Sequence, residues 1–85
     1  MNTPKILSVS PQKNLVLLIT FSDGTRKKYD VHRLLKYDMF SSLSNPAFFN
    51  NVQIEPGGYA VSWNSEIDIS EYELWKNGEE FVESA

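Results

Sequence analysis

The chain has 85 residues, eleven of them aromatic, no cysteine, and a net charge of −3. That length makes one domain, which on folding buries only about 60–65% of the surface its unfolded chain exposes, so aromatic side chains must supply much of the core. Disulfides and thiolate metal sites are excluded; Met1-Asn2-Thr3-Pro4 lacks the basic and apolar regions of a signal peptide, and the apolar run 15–19 falls far short of the ~20 residues of a membrane span, so a cytoplasmic domain without membrane contact is expected.

In chain order, Lys5 to Ser10 predicts a first strand ended by Pro11. Asn14 to Ser22 predicts the strongest strand, with Leu15, Leu17, Ile19 and Phe21 on one face and Val16, Leu18 and Thr20 on the other. Both faces are apolar in its middle, which predicts a central strand covered on both sides. Asp23-Gly24 signals a hairpin with a type I′ turn, and Thr25 to Tyr29 returns antiparallel. In that return Lys27 points with Thr25 and Tyr29, while Arg26 and Lys28 share the opposite face.

Asp30 is a helix N-cap for residues 31–37, with Tyr29 and Leu34 at the positions of a hydrophobic staple. Phe40 and Leu43 fall in a connection, and Asn45-Pro46 starts a single further turn that carries Phe48 and Phe49. Val52 to Glu55 and Tyr59 to Trp63 alternate as strands on either side of the Pro56-Gly57-Gly58 turn. Ile67-Asp68-Ile69 is a short strand before a helix over 71–77. That helix carries a capping box: Ser70 accepts from the N–H of residue 73, and Glu73 reaches back to the N–H of residue 70, with Ile69 and Leu74 as staple. Gly78 stops the helix.

The predicted fold class is α+β: an antiparallel sheet of about five strands built from two hairpins, with short helices packed on one face. Residues 1–78 form this single domain, and residues 79–85 are an acidic tail expected to fray.

Charge is uneven. Residues 1–40 carry +4 and residues 41–85 carry −7, so the two halves either compensate across one fold or steer a partner. Asp68 meeting Arg26 or Lys28 across the fold is one expected form of compensation. His32 stands alone as histidine, and Asp30, two residues away, is expected to diverge from it, so a surface histidine is the reading rather than a ligand or base. Glu66 and Asp68 share a face at a spacing of two and are expected to face solvent. Gly57-Gly58 lacks the pattern of a phosphate loop, and no serine sits in a nucleophile elbow. No enzyme activity, metal or cofactor is expected. Met39-Phe40 and Phe48-Phe49 are adjacent large apolar pairs, and on a short helix one of each pair is expected to stay accessible.

Several features together resemble the bacterial family called domain of unknown function 2442. These are Pro4 and Ile6 followed by Val9, the close Phe21-Ser22-Asp23-Gly24, the step Tyr29-Asp30-Val31 with Leu34-Leu35, then Phe40, Leu43 and Phe48. A strand ending in Trp63 and the run Glu66-Ile67-Asp68-Ile69 complete the set. The match covers roughly residues 4–75. The resemblance implies a small α+β domain without assigned catalytic residues. Members occur alone or fused ahead of a helix-turn-helix domain. Stand-alone members look as if encoded beside another small protein, of the domain of unknown function 4160 type, as in a toxin–antitoxin pair.

The expected function is a non-catalytic accessory module that binds another small protein, in an antitoxin-like masking role, with Arg26, Lys27, Lys28, Met39, Phe40 and Phe49 as contact residues. The alternative is a nucleic-acid-associated regulator that uses the basic strand. Homodimerisation through an edge strand is compatible with both.

Overall fold

The computed structural model describes residues 3–81. It is an α+β fold with two antiparallel sheets. The larger contains β1 (Ile6–Gln12), β2 (Val16–Phe21), β3 (Arg26–Asp30) and β7 (Glu79–Glu80) in that spatial order. The smaller contains β4 (Gln53–Ile54), β5 (Ala60–Ser62) and β6 (Asp68–Ser70). The strands expected in one sheet of about five are thus divided between two. Between β3 and β4 run two 3₁₀ segments, Val31–Leu34 and Asp38–Ser44, and the single turn α1 (Pro46–Phe49). Helix α2 (Glu71–Asn77) joins β6 to β7.

The β2 alternation sets the core. Leu17, Ile19 and Phe21 are buried with Tyr29, Val31, Leu43, Phe49, Val61 and Leu74. Trp75 of α2 meets Phe21 edge-on, with ring centroids 5.0 Å apart. Phe49 stacks on Trp63 at 6.0 Å, and the Trp63 indole N–H donates to the Phe49 carbonyl. Gly58 joins the sheets. Its φ of +75° suits glycine, and a Cβ there would lie 2.6 Å from the Ile6 carbonyl oxygen.

Several local expectations change. Strand β1 continues through Pro11, which an edge strand tolerates because its outer side needs no N–H. Strand β2 begins only at Val16. Asn14 and Leu15 have φ of +64° and +59° and belong to the turn. The Asp23-Gly24 hairpin is not type I′, since Gly24 is its one residue with positive φ. The Gly24 N–H bonds the Phe21 carbonyl and the Phe21 N–H bonds that of Thr25. This is a three-residue loop, a type I turn closed by a glycine bulge. The predicted helix 31–37 is a 3₁₀ turn of four residues, capped as expected by Asp30, which accepts from the His32 N–H at 2.9 Å. So short a segment gains little from α-helix propagation.

The capping box is half-formed. Ser70 accepts from the Glu73 N–H at 3.1 Å. The Glu73 carboxylate turns elsewhere, accepting from the Tyr29 hydroxyl at 2.6 Å and from Asn77 at 2.9 Å. It therefore ties α2 to β3. The acidic segment from residue 79 begins as strand rather than fraying: Glu79 pairs with Lys28 and Glu80 with Lys27. Residues 82–85 of the expected tail lie outside the described residues.

The Tyr29–Glu73 bond is testable. Burial, and then the hydrogen bond and charge of Glu73, push the Tyr29 phenol above its ordinary value. Tyr29→Phe removes a charge-assisted bond, and urea denaturation at neutral pH should show a loss of about 1.5–3 kcal/mol. The folded phenol titrates above the unfolded one, so its stabilisation is complete below about pH 10 and declines as pH rises further. The difference between wild type and Tyr29→Phe should shrink above that pH; a difference independent of pH would show that the hydroxyl contributes nothing specific.

Candidate functional site

The pleat gives the larger sheet two unlike faces. Leu17, Ile19, Phe21 and Tyr29 point into the core. On the opposite face the register aligns Ser10 with Leu18 and Lys28, and Gln12 with Val16 and Asp30. This second face is open. Ser8, Ser10, Gln12 and Lys28 are exposed, and Val16, Leu18 and Thr20 are half-buried. Two shallow depressions lie on it and share Val16 and Lys28. One, of about 420 Å³, is lined by Gln12, Lys13, Val16, Leu18 and Lys28. The other, of about 510 Å³, adds Asp30, Arg33, Asn77 and Glu79. The expectation that β2 is covered on both sides fails here, because the helices and the smaller sheet are spent on the core side.

The aromatic contribution to this face comes from Phe81. Its N–H donates to the Arg26 carbonyl at 3.1 Å. The Arg26 guanidinium and the Lys28 ammonium lie 5.3 and 5.1 Å from its ring centroid, a cation–π arrangement from two sides. An aromatic ring is thus held on the same face of the sheet with positive charge around it.

The expected contact residues separate. Arg26 and Lys28 share the open face, as their alternation predicts. Lys27 points the other way. Its ammonium lies 4.5 Å from the Trp75 ring centroid and donates to the Trp75 carbonyl, which fixes β3 to α2. Met39 is 58% exposed, while Phe40 is half-buried against the core. Phe49 is 1% exposed, so it cannot meet a partner: its stack on Trp63 turned it inward and left Phe48 as the more accessible ring. Reasoning from sequence missed Val16 and Leu18, which it assigned to a covered face, and Phe81, which it left in the tail. The lone aromatic in an acidic segment was the available signal.

Histidine 32 and Asp30 do not diverge. His32 Nδ1 lies 2.7 Å from Asp30 Oδ1 because the 3₁₀ turn folds the ring back over its cap. Partial burial of Asp30 raises its pKa, but the His32 backbone and ring N–H groups outweigh that and hold the carboxyl below its ordinary value. Both side chains are more than half exposed. Asp68 is exposed in the smaller sheet, and no ion pair joins it to Arg26 or Lys28 among the described residues. Among those residues no group of three or more His, Cys, Asp or Glu is placed to hold a metal ion. Among the described residues no helix is long and apolar enough to cross a membrane.

A family model described as "Protein of unknown function (DUF2442)" matches residues 6–80. No curated protein and no solved structure matches the chain.

The two faces of β2 predict opposite responses. Ile19→Ala empties the core and should cost about 2–5 kcal/mol. Leu18→Ser, one residue away, should cost no more than about 1 kcal/mol. Paired denaturation curves check this, and equal losses would mean that the second face is covered.

Proposed function

The chain belongs to the DUF2442 family, whose description assigns no activity, and we propose that it is a non-catalytic cytoplasmic module that binds another small protein through the open face of its larger sheet. The observation that carries the reading is the half-buried pair Val16 and Leu18 sharing a depression with Lys13 and Lys28, with Phe81 held by Arg26 and Lys28 on the same face. An apolar centre with a charged rim is the composition of a protein-binding patch. Its complement is a partner surface with an aliphatic or aromatic centre and carboxylates at its margin. Aliphatic side chains at the centre suit a protein better than nucleic acid, which needs a run of stacking aromatics.

The same geometry supports a masking role. An open sheet face covers a partner's surface without entering it, which suits sequestration of a small protein. The family resemblance nominates the first candidate: a small protein encoded beside this one.

Co-expression of the two proteins, with only this chain tagged, tests the proposal. A stoichiometric complex should survive high salt, because its centre is apolar. Leu18→Glu should abolish recovery of the partner while the variant keeps its circular dichroism spectrum. Lys28→Glu should weaken recovery and reduce its salt sensitivity. Full binding by Leu18→Glu would move the contact elsewhere. Recovery of nucleic acid that is lost steeply with salt would favour the regulator reading instead.

A further inference from the structure

We propose that the turn following β3 binds a small phosphate monoester that carries a flat ring, a ligand of the nucleoside monophosphate class. An open cavity of about 560 Å³ lies at this turn, lined by His32, Arg33, Leu34, Lys36, Tyr37 and Glu73. That volume falls within the roughly 300–1,000 Å³ of small-molecule sites. The cavity shares only Arg33 with the depressions of the open sheet face, so the inference does not rest on the partner-binding reading.

The backbone gathers positive charge here. Leu35 donates its N–H to the His32 carbonyl at 3.1 Å, and Tyr37 donates to the Leu34 carbonyl at 3.0 Å. The three-residue hydrogen-bond step of the 3₁₀ turn thus runs on past Leu34. Residues three apart eclipse in that geometry, which stands Arg33 and Lys36 on one side. Among the described residues neither has an ion-pair partner. Arg33 lies over the Tyr29 ring at 5.8 Å, and contact with a ring face leaves the guanidinium N–H donors free for an anion. Glu73 is the one carboxylate on the wall, and its two oxygens already accept from the Tyr29 hydroxyl and the Asn77 amide. Two unpaired cations on one side of a turn suit a doubly charged phosphate.

His32 adds a third contact. Asp30 is ionised at neutral pH, and a carboxylate only accepts, so the Nδ1 that it meets at 2.7 Å carries a proton. Nε2 is the remaining polar atom of the ring, and no described residue bonds it. Imidazole and phosphate monoesters both change protonation near neutral pH, so one proton held between Nε2 and a phosphate oxygen joins the two. Above pH 7 binding therefore takes up a proton. Asp30 and Arg33 adjoin the ring, while Lys36, Tyr37 and Glu73 share its cavity. Leu34 and the Tyr37 ring, which is 51% exposed, give the cavity an apolar wall. The Lys36 ammonium lies 5.3 Å from the Tyr37 ring centroid, so a phosphate held by Lys36 brings its attached ring to Tyr37 for stacking.

Calorimetric titration of the full chain at constant ionic strength tests the site, with adenosine monophosphate, inorganic phosphate and adenosine as probes. Adenosine monophosphate should bind saturably at or below about 1 mM, inorganic phosphate more weakly, and adenosine not measurably. Lys36→Gln should weaken the nucleotide about tenfold. Tyr37→Ala should reduce its affinity to that of inorganic phosphate. Between pH 7 and 8 the wild-type affinity should fall about tenfold, the slope of one proton taken up, and His32→Gln should abolish that slope. Lys36 and Tyr37 are exposed, and the Asp30 cap uses the His32 backbone N–H, which glutamine retains; thermal unfolding verifies that each variant is folded. No saturable binding of the nucleotide overturns the proposal, and so does a Lys36→Gln variant that binds like wild type. Adenosine binding as tightly as its monophosphate removes the phosphate from the site. A wild-type affinity that is flat with pH removes His32. A 5′-phosphorylated oligonucleotide that binds more than tenfold tighter than the mononucleotide overturns the small-ligand assignment in favour of nucleic acid.

Discussion

A chain of this length can cover only one face of its main sheet, and the rest of the structure depends on which face that is. The alternation of β2 decides it. Leu17, Ile19 and Phe21 are bulkier as a set than Val16, Leu18 and Thr20, and they recruit Tyr29, Leu74 and Trp75 to the same side. Helix α2 and the smaller sheet are then committed to that layer, with Gly58 seated on the Ile6 backbone as the joint. Nothing comparable remains for the second face. Its serines, glutamine and lysine are what a solvated sheet surface carries, and Val16 and Leu18 are the exception on which the proposed binding rests.

The uneven charge is partly absorbed by this arrangement. Strand β7 sets Glu80 against Lys27 and Glu79 against Lys28, which brings the acidic end of the chain onto the basic strand. Lys5 pairs with Glu71 at 2.6 Å and lies over the Tyr59 ring at 4.2 Å. Lys27 is spent on Trp75, and Arg33 lies over Tyr29. The seven cations of the first half are therefore largely structural. Lys13 and Lys28 keep their charge at the margin of the open face. In the proposed reading that field orients an acidic-rimmed protein.

The sequence is legible where a local rule and the tertiary need agree. Asp30 and Ser70 cap their turns as their positions predict, and Arg26, Lys27 and Lys28 alternate as the pleat requires. It misleads where a distant partner outbids a local one. Glu73 has a capping role available within its own turn, yet a buried tyrosine hydroxyl needs an acceptor more than an exposed backbone N–H does. Asp23-Gly24 fits the tightest hairpin, but the loop takes one more residue and leaves only Gly24 in the left-handed region. Of the pair Phe48 and Phe49, no spacing rule says which ring Trp63 will select. Phe81 is invisible for the same reason: its place depends on two cations that lie far away in sequence.

The Asn14-Leu15 turn shows the same hierarchy at its sharpest. A leucine with φ of +59° is strained, at a cost on the order of 1–3 kcal/mol. The fold holds it there because its carbonyl accepts from the Val31 N–H at 2.9 Å and its side chain packs against the core. Those two contacts fix where β2 begins, and so which of its side chains face inward. Moving the start by one residue would exchange the two faces, burying Val16, Leu18 and Thr20 and exposing the larger set. The strain at Leu15 is therefore tied to the feature on which the proposed binding face depends: a sheet whose polar, sparsely apolar side is turned outward.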